Sequence, residues 1–210
     1  GSIMESLYTT IIVAVIASII STVIGTISAI AIHNMSPRKK AILTNLSYIP
    51  MVNPDIVIGI SLLSFFSILN LKLGYITLIL AHITFNIPYV IFAVLPKLQQ
   101  LNPNIEEAAL DLGATPIQAF FKVILPEIMP GIITGSLLAF TLSLDDFIVS
   151  FFTTGSGVST LSIKVYSMTK RGISPKINAL SSLMFIAVLA LMLLLQLRDA
   201  KNKSQSDNVR

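Results

Sequence analysis

The 210-residue chain has no cysteine and no tryptophan. Without thiols it can form neither a disulfide framework nor a thiolate metal site. Histidine is nearly as scarce: His33 and His82 stand far apart, without the spacing of a metal-ligand pair. Charge is scarce as well. Charged residues make up 11% of the chain, against about 25% in soluble domains, and 54% is hydrophobic. A soluble globular domain is therefore a poor reading. No stretch matches G-x4-G-K-[ST], so the chain carries no phosphate cradle of that kind. The net charge of +4 comes from lysines and arginines gathered at the ends of apolar runs. That pattern suits a membrane protein and not a nucleic-acid partner, which would need a basic reading face. No internal repeat is visible. The first apolar run is too long for a signal-peptide core and lacks a cleavage-like end. Gly1-Ser2 reads as a cloning remnant.

What the chain has in abundance is long apolar runs. Five of them reach the roughly 20 residues that a transmembrane helix needs: 8–32, 41–69, 75–95, 128–152 and 177–197. Backbone groups in lipid must bond internally, so each is predicted to be helical. The expected fold class is all-α, a polytopic transmembrane bundle over 5–198 with a polar cytoplasmic tail at 199–210. Loop cations orient it. Arg38, Lys39 and Lys40 lie in the first loop, Lys97 and Lys122 in the loop 96–127, and Arg198, Lys201, Lys203 and Arg210 in the tail. The opposite side has fewer: Lys72, Lys164, Lys170, Arg171 and Lys176. The first set marks the cytoplasmic side. In the first run, Ser18, Thr22 and Thr26, with Ser21 and Gly25, recur at four-residue spacing and suit close helix packing. Residues 161–170 alternate at helical spacing and read as an amphipathic outer helix.

The loop between the third and fourth runs, 97–127, is a polar island. Asn104-Ile105-Glu106-Glu107 reads as a capping box opening a helix, and Gly113 as its stop. Thr115-Pro116-Ile117-Gln118 reads as a second capping box, with Ala119, Phe120, Val123 and Ile124 as the apolar face of the helix it opens. Pro126 and Pro130 are expected to break the chain before the fourth run. Composition alone leaves two uses for this helix–Gly–helix hairpin: docking a soluble partner, or lying against lipid headgroups.

Carboxylates at membrane depth are costly and point to function. Asp55 follows Pro50 and Pro54 midway along the second run. Asp145 and Asp146 fall in the outer half of the fourth, read as one continuous helix. No lysine or arginine lies inside a run to neutralise them. The pattern suits a path for a cationic solute. The competing reading has each Asp capping a broken helix or pairing with a cation of a partner subunit. An intramembrane aspartyl enzyme would need two carboxylates meeting across a site, which neighbours on one helix do not provide.

The motif E-A-A-x3-G-x9-V-x-L-P, carried by Glu107, Ala108, Ala109, Gly113, Leu125 and Pro126, resembles the coupling loop of ABC-importer permeases. Met51-Val52-Asn53-Pro54-Asp55-Ile56-Val57, Ala81-His82-Ile83-Thr84-Phe85, Phe140 to Phe147 and Lys164 to Met168 are similar to permeases of spermidine/putrescine importers, of the PotC-like type. This resemblance implies a type I (MetI-like) permease fold in the bacterial cytoplasmic membrane, with no catalysis of its own. It also implies a further helix ahead of Tyr8 that this chain lacks. The implied partners are ATPase subunits, a second homologous permease, an extracytoplasmic binding protein and a polyamine. ATP and Mg would be used by the ATPase, and no cofactor would be bound by this chain. Glu107, Ala108, Ala109, Gly113, Leu125 and Pro126 would couple to the ATPase. Asp55, Asp145 and Asp146 would line the substrate path. A permease for an amino acid, sulfate or metal ion is the alternative.

Overall fold

A computed structural model of the chain describes residues 2–169, 178–179, 181–190 and 192. It divides into two units, Gly1–Lys164 and Val165–Arg210. The described residues hold helices and turns and no strands. In the second unit, an apolar helix spans Ser181–Ala190. The rest of the run expected at 177–197, and the tail 199–210, lie outside the described residues.

Three helices carry the core of the first unit: α1 (Ile3–His33), α4 (Tyr75–Gln100) and α7 (Leu125–Asp145). Helix α1 is packed by its small residues. Ala14, Ala17, Ser18, Ser21, Gly25 and Ala29 are buried, while Ile11, Val15, Ile19, Val23 and Ile27 point outward as a stripe for lipid. The hydroxyls of Thr10, Ser18, Ser21 and Thr22 donate to carbonyls one turn back, so their protons are satisfied within the helix. Val90 of α4 is wedged between two glycines. A Cβ on Gly25 of α1 would sit 2.6 Å from Val90 Cβ, and one on Gly135 of α7 would sit 3.2 Å from Val90 Cα. Val90, Val94, Leu98, Ala29, Ile128 and Ala139 form the buried cluster around this contact.

The second apolar run does not form one continuous helix. It divides into α2 (Pro37–Val52) and α3 (Asp55–Ile68), bent by 103°. Asn53 is extended (ψ 143°), and Pro54 has no N–H to continue the ladder, so the helix restarts at Asp55. Helix α3 ends on Asn70 in the left-handed region (φ 54°). There Leu71 N–H bonds Phe66 O, and Asn70 N–H bonds Ser67 O.

The expected break at Pro126 and Pro130 is overturned. Residues Pro116–Asp145 run as one 30-residue helix, comprising α6 (Pro116–Ala119), a π-helical turn (Phe120–Ile124) and α7. Pro126 sits in the first turn of α7, and Leu125 N–H reaches Phe120 O just ahead of it. That wider turn lets the backbone pass a residue with no N–H without breaking. The continuous helix expected over 128–152 is overturned as well. Helix α7 ends at Asp145, Asp146 is extended (ψ 127°), and a short α8 (Ile148–Thr153) follows. Among the described residues, three helices are long and apolar enough to cross a membrane, or up to four if the bent α2–α3 pair is one broken span.

Candidate functional site

The two helix breaks meet at one cleft. Asp55, Asp145 and Asp146 line it together with Phe85, Thr141, Leu142, Phe147 and Ile148, around a volume of about 400 Å³. Asp55 opens α3 and Asp145 closes α7, so the elbow and the end of α7 deliver their carboxylates to the same space. Both residues are exposed, and among the described residues neither carboxylate makes a hydrogen bond or ion pair. Among the described residues no lysine or arginine lines the cleft.

Asp146 differs from its neighbour in every contact. Its carboxylate accepts from Val149 N–H at 3.1 Å and Ser150 N–H at 2.7 Å, capping α8. Its own N–H bonds Leu142 O at 3.1 Å, and its carbonyl accepts from Ser162 Oγ at 2.6 Å. His82 Nε2 stands 3.6 Å from Oδ2, and the Asp146 side chain is 6% exposed. Capping a broken helix, the competing reading from the sequence, therefore describes Asp146. Asp145 and Asp55 present their charge to the cleft.

Behind the cleft, α4 presents a column of buried polar side chains. Thr77 Oγ1 donates to Thr153 O at 2.8 Å, His82 Nε2 lies 3.0 Å from Ser150 Oγ, and Asn86 Nδ2 donates to Ser143 Oγ at 2.7 Å. Among the described residues, His82 Nδ1 and Asn86 Oδ1 have no hydrogen-bond partner. Reasoning from the sequence missed this column because it weighed only carboxylates. The signal was present: His82 and Asn86 fall at i and i+4 in an otherwise apolar run, on one helical face. Among the described residues no group of His, Cys, Asp or Glu is placed to hold a metal ion.

The polar hairpin lies at the other end of α7. Glu107, Ala108 and Ala109 stand on α5 (Ile105–Asp111), with Glu107 and Ala108 exposed. Asn104 does not form the expected capping box. Its ψ of 3° is not extended, its side chain makes no cap, and its own N–H is taken by Asn102 Oδ1 at 3.0 Å. The stop at Gly113 (φ 89°) is a Schellman turn, with Ala114 N–H on Ala109 O and Gly113 N–H on Leu110 O. Thr115 and Gln118 form the reciprocal capping box. Leu112 and Ile117 flank the turn with their side chains in the open, 90% and 71% exposed. Leu125 and Pro126 open α7, so the structure groups Glu107, Ala108, Ala109 and Gly113 in the hairpin and puts the other two motif residues at the foot of a core helix. At 1.5 Å per residue, the 21-residue α7 holds Asp145 roughly 30 Å from Leu125, about the thickness of a bilayer core.

A helical bundle with a membrane-length helix joining an exposed hairpin to an acidic cleft is the architecture of a membrane transport component. The chain belongs to the family described as binding-protein-dependent transport system inner membrane component, whose sequence model matches residues 21–200. It is a transport component and not an enzyme. It is 39% identical over 176 residues to the spermidine/putrescine transport system permease protein PotC of Haemophilus influenzae, covering 84% of this chain and 68% of that one. Over 211 residues it is 37% identical to PotC of Escherichia coli K12, covering 100% and 80%. The putrescine transport system permease protein PotI of the same strain is 47% identical over 145 residues, covering 66% and 52%. Among solved structures, a crystal structure of an amino acid ABC transporter with histidines matches with a TM-score of 0.68 at 20% identity, covering 93% of this chain and 91% of that one. That likeness shows the fold alone.

Proposed function

We propose that the chain is a permease subunit of an ATP-binding-cassette importer that moves polyamines such as spermidine or putrescine across the cytoplasmic membrane. The observation that carries the solute class is the cleft: two open carboxylates, Asp55 and Asp145, with no lysine or arginine among the described residues that line it. Such a site replaces water around an ammonium group and repels an anion, which disfavours sulfate. The names of the PotC and PotI relatives support the same class.

The hairpin containing Glu107, Ala108, Ala109 and Gly113 docks an ATPase subunit, which uses ATP and Mg; this chain binds no cofactor. Leu125 and Pro126 join that dock to α7. Motion of the hairpin therefore reaches the cleft along one continuous helix, 30 residues from Pro116 to Asp145. A second, homologous permease completes the path and an extracytoplasmic binding protein delivers the solute. The test is uptake of labelled spermidine and putrescine into membrane vesicles holding the assembled transporter. Uptake should stop without ATP and compete with other polyamines. Competition by an amino acid or sulfate and not by a polyamine overturns the reading.

A further inference from the structure

We propose that His82, which lies outside the cleft lining, is a positioning residue that holds the Asp146 carboxylate in place as the cap of α8 at the cleft edge and so aims Asp145 into the cleft. The inference rests on reading the cleft as the solute path. His82 is 1% exposed on α4, away from every solvent face. Its Nε2 reaches Ser150 Oγ at 3.0 Å and Asp146 Oδ2 at 3.6 Å. In the Nε2–H tautomer the ring donates to Ser150 Oγ, on the first turn of α8, and turns the same N–H edge toward Asp146 Oδ2. That donor works together with the two backbone N–H groups on the same carboxylate.

The consequence concerns the chain direction. Helix α7 must stop at Asp145 for that side chain to project from a helix end. It stops because the residue after it is extended and clamped: by α8 through its side chain, by Ser162 through its carbonyl, and by His82 from behind. Without the His82 donor, Asp146 loses the contact that ties it to α4. The α7–α8 break is then free to shift, and position 145 turns away from the cleft. His82 acts through Asp146 and never touches solute.

The absence of cysteine makes the chain a clean background for the test. In vesicles bearing the full chain, Asp145→Cys is labelled with methanethiosulfonate-ethylammonium, and Thr141→Cys, one turn earlier on the same cleft, serves as control. Adding His82→Leu should slow labelling of Asp145→Cys by about fivefold, the scale of one lost helix cap, and leave Thr141→Cys within about twofold. His82→Gln supplies an amide donor and should restore the Asp145→Cys rate to within about twofold. An unchanged rate at 145 in His82→Leu, or an equal fall at 141, overturns the proposal, as does failure of His82→Gln to restore the rate. If His82→Leu does not accumulate, His82→Phe, which keeps a ring and removes both nitrogens, decides: slower labelling at 145 but not at 141 supports the proposal, and no change overturns it. The labelling uses no solute, so its outcome is independent of the polyamine reading. Protection of Asp145→Cys by spermidine tests that reading separately.

Discussion

The stretch 116–130 and the stretch 145–148 reverse what their residues suggest. The first contains Pro116, Pro126 and Pro130, yet it is unbroken helix. The second contains no proline, yet the helix ends there and another begins. The difference lies in where the backbone groups go. At Pro126 the preceding π-helical turn, with Leu125 N–H on Phe120 O, lets the helix pass a residue that has no donor. At Asp146 the break supplies its own partners, with a carboxylate for two N–H groups and a serine hydroxyl for the carbonyl. In lipid a break persists only where its polar groups are met, so a capping side chain is a stronger punctuation mark than a proline.

The sharpest way to break this comparison is Asp146→Leu. It leaves Val149 and Ser150 N–H uncapped and removes the carboxylate from His82. The expected loss is on the order of 3 kcal/mol, a lost cap plus stranded buried donors. Asp145→Leu should change stability by less than about 0.5 kcal/mol, since that side chain is exposed and unbonded. Thermal unfolding of the two variants in detergent measures this. Equal losses would mean that the adjacent carboxylates do not differ as described.

Transport should rank the same pair differently. Asp145→Asn and Asp55→Asn keep side-chain size and remove charge from the cleft. Each should lower polyamine uptake by about tenfold, or about 1.4 kcal/mol, with unfolding temperature unchanged. Asp55→Lys should abolish uptake, because it puts a cation on a path for cations. Parent rates in both Asn variants would remove the cleft from the path.

At the hairpin, Gly113→Asp should uncouple ATP hydrolysis from uptake. Within the chain its cost is only the backbone strain at φ 89°, about 1 kcal/mol, since nothing lies within 4 Å of a Cβ there. A drop in uptake larger than that strain explains, at normal abundance in the membrane, would come from a partner surface fitted to the turn. Unimpaired, coupled uptake would remove the hairpin as a dock.

The sequence was legible where one residue settles one local geometry. Gly113 at positive φ, the Thr115–Gln118 capping box and the interruption near Pro54 all follow from such single-residue rules. It was also legible in the apolar runs, whose length alone selects helices. It was not legible where geometry depends on a distant residue. Nothing near Asp146 announces that Ser162 and His82, from other helices, will clamp it, so 145–146 read as continuous helix with two similar acids. Asn104 failed as a cap because Asn102, two residues earlier, competes for the same turn. The bend of 103° at Asn53–Pro54 exceeds what a proline alone imposes on a helix, and it brings Asp55 to a carboxylate 90 residues away in the chain.

The smallest expected effect completes the comparison. Pro126→Ala restores an N–H one residue after Leu125, in the first turn of α7. If the proline were a helix breaker here, its removal would straighten and stabilise the junction by roughly 3 kcal/mol, its cost in a helix interior. The structure argues otherwise. The residue lies inside the continuous helix, but the preceding π-helical turn already accommodates its missing N–H. The expected change in stability is therefore less than about 1 kcal/mol. The more telling readout is the turn itself. With a donor restored at 126, an ordinary α-helical bond to Lys122 O becomes available and competes with the wider turn. Amide exchange at Leu125 and position 126 should then report two protected groups in place of one. A gain approaching the full helix-interior cost, or an unprotected amide at 126, would show that the proline and not the wider turn sets the geometry at the foot of α7.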